Sequence, residues 1–200
     1  MAIPFTPFHY PVGYLLSKTN RRLSLPGLTV GSVIPDIEIP LMWIFFPGVY
    51  DHLLLHSLIG VVTVGTALAV IVTKLLYPPI ISFFFCLEYN EVKEACRITP
   101  ILILSCMLGA LFHVLVDIPM HPFNPVFWPW IDPREIVGPV VLFFAEGGNI
   151  ALGFTIANTL FTAVMTVLGS IILAMNFGDG IWKRLWIGNS DISEGQYEPA

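Results

Sequence analysis

Long apolar stretches separated by short polar segments organise this sequence. Crossing a bilayer takes roughly twenty apolar residues in a helix. Three stretches are long enough: about Leu53 to Leu76, about Thr99 to Met120, and about Ile150 to Asn176. Each is therefore predicted to form a transmembrane helix.

A fourth stretch, from about Leu28 to Phe46, is apolar except for Asp36 and Glu38. Pro35 and Pro40 interrupt it. Because proline lacks an amide donor and clashes with the preceding turn, it kinks or breaks a helix. The pattern predicts a span built from two half-helices.

Two shorter apolar pieces, Pro7 to Ser17 and Val137 to Ala145, cannot span a bilayer alone and are predicted to be partial insertions or interfacial helices. The composition agrees, with 56% hydrophobic and 12% charged residues and a mean hydropathy of +0.79. We expect an all-α integral membrane protein with about four transmembrane helices, one of them proline-broken. Residues 1–180 are expected to form a single helical membrane domain, and residues 181–200 a polar cytoplasmic tail.

Basic residues predict the orientation, because cytoplasmic loops are enriched in Lys and Arg. If the four spans alternate, three basic clusters share one side: Lys18, Arg21 and Arg22; Lys74, Lys93 and Arg97; Lys183 and Arg184. This orientation predicts that the C-terminus lies in the cytoplasm. We expect the protein to be in the cytoplasmic (inner) membrane. The formal net charge of -5 owes much to the tail, and no pattern indicates nucleic-acid binding.

Ionisable residues within the apolar segments are the candidate chemistry, because burying them in a bilayer is costly. His113 and Asp117 lie four apart, so they share one helix face. With the predicted spans, six residues meet in the outer half of the membrane: His9, Asp36, His56, His113, Asp117 and His121.

Imidazole nitrogen and carboxylate oxygen are donors that zinc or a similar divalent ion accepts. The set therefore predicts a metal site. A single buried histidine is more often bonded to a backbone carbonyl, and a His and Asp pair can be a structural hydrogen bond. His52, beside Asp51 at a loop, is expected to be exposed or to support a ligand.

Four segments carry a family resemblance: Thr6-Pro7-Phe8-His9, Gly31-Ser32-Val33-Ile34-Pro35-Asp36, His56-Ser57-Leu58 and His113-x-x-x-Asp117. Their order resembles the LexA-binding, inner-membrane-associated metal-dependent hydrolases and a neighbouring prokaryotic membrane family of unknown function. A more distant analogy is to zinc-dependent phospholipase C and single-strand nucleases.

The resemblance implies that His9, Asp36, His56, His113 and Asp117 bind divalent metal, with His121 as an additional ligand. A further His-x-x-x-Glu pair, which a full three-metal site would have, is absent from the sequence.

These observations lead to the expectation of a metal-dependent hydrolase that cleaves a phosphoester in a lipid or lipid-linked substrate near the outer leaflet. Glu38 or Glu146 would accept a proton, and Arg134 would contact the phosphate. Two alternatives remain: a metal-binding or proton-linked transporter, which would need to form a homo-oligomer, and a non-catalytic membrane scaffold whose polar cluster is a hydrogen-bond network.

Overall fold

The computed structural model describes residues 6–46, 48, 50 and 52–188. Every regular element in this part of the chain is helical, which confirms the predicted all-α class. The predicted tail lies outside the described residues from position 189 onward. The α-helices are α1 (Tyr10–Thr19), α2 (Leu25–Gly31), α3 (Glu38–Phe45), α4 (Leu58–Leu75), α5 (Tyr77–Phe85), α6 (Tyr89–Ala95), α7 (Pro100–Asp117), α8 (Pro139–Phe144), α9 (Ile150–Met175) and α10 (Ile181–Trp186).

Four helical segments within the described residues are long and apolar enough to cross a bilayer, as predicted: Leu25–Phe45, Leu58–Leu75, Pro100–Met120 and Ile150–Met175. This is the architecture of a multi-pass membrane protein. The first span is broken as expected, because α2 ends at Gly31 and a 3-10 turn, Pro35–Ile37, precedes α3. The break places Asp36 inside the span.

Small residues let α2 and α7 pack in close contact. A Cβ added at Gly31 would lie 2.2 Å from the Cys106 carbonyl oxygen, and one added at Gly109 would lie 2.4 Å from the Leu28 oxygen. Any larger side chain would separate the two backbones. Such small-residue contacts are a common basis of helix association in membranes. This packing fixes the broken span against the helix that carries His113.

The second span begins with a constrained loop. Ser57 caps α4 by accepting a hydrogen bond from the Gly60 amide, and residues Val61–Gly65 form a π-helical turn. A Cβ added at Gly60 would lie 1.7 Å from the Leu54 carbonyl oxygen. Glycine is therefore required where the loop that carries His56 crosses the start of α4.

The two ends of the bundle differ in chemistry. At one end, Lys183 pairs with Glu91, and the Tyr77 hydroxyl donates to the Trp186 carbonyl oxygen at 2.7 Å. The predicted basic clusters adjoin this end, because they follow α1 and α4, precede α7 and lie on α10. The ionisable cluster lies toward the opposite end, where α7 finishes.

The buried side chain of Asn124 holds the segment after α7. Asn124 Nδ2 lies 3.2 Å from the Ile118 carbonyl oxygen, 3.3 Å from the His121 carbonyl oxygen and 3.0 Å from the Ile136 carbonyl oxygen. It closes the 121–138 loop over the end of α7 and so fixes the position of His121.

Candidate metal centre

Four predicted ligands come together from three parts of the chain. Asp36 comes from the break in the first span, His56 from the loop before α4, and His113 and Asp117 from adjacent turns of α7. Each offers a ligand atom within 4.8 Å of the others. Their exposed fractions are 8%, 3%, 0% and 4%, so the group is shielded from solvent.

The hydrogen bonds on the outer side of the two imidazoles fix their tautomers. His56 Nδ1 lies 3.2 Å from the Glu38 carboxylate, and His113 Nδ1 lies 2.8 Å from the Ser32 carbonyl oxygen. A carbonyl or carboxylate oxygen only accepts hydrogen bonds, so both Nδ1 atoms donate. In the neutral rings, both Nε2 atoms then carry lone pairs.

Those two Nε2 atoms face each other at 3.4 Å. Two lone pairs cannot form a hydrogen bond, so the contact requires either a shared proton or a cation. Asp117 Oδ2 lies 3.2 Å from the His113 Nε2, and Asp36 Oδ1 lies 3.3 Å from the same atom. The centre thus combines two inward lone pairs with two carboxylates.

Oδ2 of Asp36 is buried and has no hydrogen-bond partner in the part of the chain that the structure describes. Burying such an atom unpaired costs several kcal/mol in an apolar setting. A donor set of two imidazoles and two carboxylates, with one oxygen unpaired, fits a divalent ion such as zinc. Outer hydrogen bonds that fix the imidazoles are also typical of metal ligands.

Glu38 has a different environment from the one expected for a proton acceptor. Its carboxylate receives the backbone N–H groups of Leu53 at 3.0 Å, Leu54 at 2.6 Å and Leu55 at 3.0 Å, in addition to His56 Nδ1. Four donors occupy its two oxygens. The geometry supports a positioning role, in which Glu38 shapes the 53–55 loop and orients His56.

His9 lies against the cluster rather than among its four closest members. Its Nε2 donates to Asp117 Oδ1 at 3.0 Å, and its ring lies 4.0 Å from the His113 ring and 5.4 Å from the Phe161 ring. This contact orients the second oxygen of Asp117 toward the centre. The predicted role of His9 as a ligand stays a prediction.

His121 and His52 form the next layer. The ring of His52 lies 4.3 Å from His56 and 5.1 Å from His121. Both outer histidines are buried. Of the two environments expected for His52 from its loop position, solvent exposure is therefore wrong, and contact with a ligand histidine is what the structure has. Its spacing of four residues from His56 was the available signal. His121 lies outside the group of four, and its predicted ligation stays a prediction.

The remaining predicted site residues, Arg134 and Glu146, are exposed. Arg134 binds Asp132 through two bonds, Nε to Oδ1 at 3.1 Å and Nη2 to Oδ2 at 2.9 Å. These hydrogen bonds hold the pKa of the Asp132 carboxyl well below its usual range. Glu146 lies in the turn between α8 and α9. The structure provides no direct contact between either residue and the cluster.

The comparisons with known proteins give one match. A family model described as "Domain of unknown function (DUF4184)" matches residues 3–176. No curated protein and no solved structure matches the chain. The match covers all four spans and every residue of the candidate centre, and its description names no activity.

Proposed function

The chain belongs to the DUF4184 family, and from the geometry of its centre we propose that it is a membrane-embedded metal-dependent hydrolase. Its substrate would be a phosphoester in a lipid or lipid-linked molecule. The inner-membrane location and the cytoplasmic C-terminus predicted from the basic residues belong to the same proposal. The resemblance to metal-dependent hydrolases stays a prediction.

One observation carries the metal part of the proposal. The Nε2 atoms of His56 and His113 face each other at 3.4 Å, while their Nδ1 hydrogens point outward to fixed acceptors. Asp36 and Asp117 close the same space. A purely structural network would favour a donor opposite an acceptor, because a buried polar group needs a partner. A divalent cation satisfies all four inward atoms together.

The chemistry follows from the donor set. A divalent ion held by Asp36, His56, His113 and Asp117 would supply Lewis acidity to a phosphoryl oxygen and lower the pKa of water. In hydrolysis, the water oxygen bonds to phosphorus, the ester P–O bond breaks, and a proton moves from the water to the leaving oxygen. Glu146 stays the predicted first acceptor of that proton, because the oxygens of Glu38, the other predicted acceptor, already receive four hydrogen bonds.

Location supports a lipid substrate. The centre lies where α7 ends and where α4 and α9 begin. If these helices cross a bilayer, their ends lie near the lipid headgroups, which supports a substrate whose phosphoester is in a headgroup. Arg134 lies in the 121–138 loop at this end of the bundle, and guanidinium groups bind phosphate oxygens with directional hydrogen bonds. A phosphoester headgroup therefore matches the position of the centre, and Arg134 would bind it by exchanging its bonds to Asp132.

Metal content tests the proposal directly. We expect purified wild-type protein to hold at least one zinc or manganese ion per chain by elemental analysis, and Asp117→Ala to hold less than a tenth of it. Glu146→Gln, an exposed carboxylate change, is the matched control and should keep the ion. Absence of metal from the wild type after reconstitution would refute the enzyme proposal.

One observation favours a second candidate, a non-catalytic scaffold. His113 lies within 3.3 Å of both Asp36 and Asp117, so a protonated imidazole would also form a stable ionic network. In that case chelators change nothing, whereas Asp117→Asn combined with His113→Gln loosens the bundle. Melting curves with and without a chelator separate the two candidates.

A further inference from the structure

A groove with a volume of about 370 Å³ lies on the surface of the fourth span. It is lined by Pro122 and by one face of the first turns of α9, including Phe154, Thr155 and Thr159. Its size falls within the range of small-molecule pockets, roughly 300–1,000 Å³. The groove is at the end of the bundle that holds the candidate metal centre.

A chain of aromatic contacts connects this groove with the centre. The ring of Phe154 lies 6.0 Å from that of His121, and His121 lies 5.1 Å from His52. His52 in turn lies 4.3 Å from His56. Pro122 immediately follows His121. A molecule in the groove would therefore end beside the side chains that lead to the ligand His56.

The lining of the groove is mainly apolar, and its polar members are two threonines and the buried Asn158. The Thr155 hydroxyl donates to the Ala151 carbonyl oxygen at 2.9 Å, and the Thr159 hydroxyl donates to the Thr155 carbonyl oxygen at 2.8 Å. Hydroxyls that bond back to their own helix are not offered as donors to a ligand. What the threonines present to the groove is mainly their methyl groups, alongside Ile150 and Phe154.

The position of the groove in the bilayer identifies its occupant. Only 22% of the most apolar stretch of α9 is buried, against 50% for the first span. Because Ala151, Thr155 and Thr159 on the groove side are exposed, this face of the helix borders lipid. A hydrocarbon chain is the ligand that both the lining and the surroundings select. We infer that the groove holds one acyl or isoprenoid chain of the substrate, with one end of that chain beside His121. The identity of the headgroup rests on the proposed function, whereas chain binding does not.

Lipid retention tests this inference in the full-length protein. The protein is purified from membranes in mild detergent, with and without a chelator, and retained lipid is counted by native mass spectrometry. Thr155→Trp fills the groove. Leu160→Trp is the matched control, because position 160 lies on the opposite face of α9 at similar depth and is 47% exposed.

We expect one retained lipid in the wild type and in Leu160→Trp, and at least a tenfold loss in Thr155→Trp. Equal retention in both variants overturns the inference, and so does a wild type without lipid or with a second copy of the chain in its place. Retained lipid in a protein that binds no metal would leave the groove intact while refuting the hydrolase. The two proposals can therefore fail separately.

Discussion

Replacing Glu38 by glutamine tests how the centre is positioned. The carboxylate Oε2 receives the Leu53 and Leu55 amides and His56 Nδ1, while Oε1 receives the Leu54 amide at 2.6 Å. Glutamine can keep an oxygen at only one of these places. With that oxygen at the Oε2 place, the amide NH₂ faces the Leu54 N–H. Two donors, the Leu54 N–H and the new NH₂ group, are then left without an acceptor.

The magnitude follows from those two donors. Each buried group left unsatisfied costs about 1–3 kcal/mol, so Glu38→Gln should lower the free energy of unfolding by about 2–6 kcal/mol. The bond from His56 Nδ1 also weakens, because a neutral amide oxygen replaces a carboxylate oxygen. Removing such an outer partner of a ligand typically weakens metal binding by about 10–100-fold.

The assay is competition for zinc against a chromophoric chelator at pH 7, combined with thermal melting. Glu146→Gln is the control, since it makes the same chemical change at an exposed turn. If Glu38 were instead the general base expected from sequence, Glu38→Gln would lower kcat and leave the zinc Kd unchanged. An unchanged Kd together with an unchanged melting temperature would refute the positioning role.

Three further predictions concern the loop, the thiols and the outer pair. Gly60→Ala should lower the melting temperature and the metal content, because the added Cβ would lie 1.7 Å from the Leu54 carbonyl oxygen. Gly65→Ala is the control and should melt like the wild type, because its added Cβ would lie no closer than 3.4 Å to the nearest atom, the Gly60 carbonyl oxygen. A membrane-impermeant maleimide at pH 7.5 should label the exposed Cys86 from the cytoplasmic side only. Cys96 should stay unlabelled, because burial raises the pKa of its thiol to about 12. Labelling of Cys86 from outside would contradict the proposed orientation. The carboxyl of Asp132 should stay ionised below the usual pKa range of aspartate, because hydrogen bonds from Arg134 lower its pKa. The contribution of this pair to loop stability is therefore present at neutral pH and is lost as the pH falls through that lowered pKa. Carboxyl NMR shifts that titrate at the ordinary pKa would contradict this.

The sequence determined the class of fold because bilayer thickness imposes a simple requirement on helix length. Apolar runs of about twenty residues are visible without any knowledge of contacts. Pro35 likewise indicated the break in the first span, since proline acts on its own backbone. The approach of α2 to α7 was not anticipated, because Gly31 and Gly109 matter only once the two helices are known to be neighbours.

The candidate site was predictable in its residue types and not in its roles. Burial cost alone selects six residues that need a reason to be in an apolar chain: His9, Asp36, His56, His113, Asp117 and His121. Whether a carboxylate is a ligand, a base or an outer partner depends on which groups surround it. For Glu38 those groups are three backbone amides and a ring nitrogen from a loop some fifteen to eighteen residues away.

Sequence alone therefore determined that this is a helical membrane protein with a buried ionisable cluster, because hydrophobicity and charge are properties of single residues. Tertiary structure decided that two imidazoles present Nε2 toward each other, that Glu38 holds one of them, and that a groove on the fourth span lies beside the histidines that pack against the site. Hydrogen-bond direction and cavity shape exist only between elements, so no pattern along the chain could specify them.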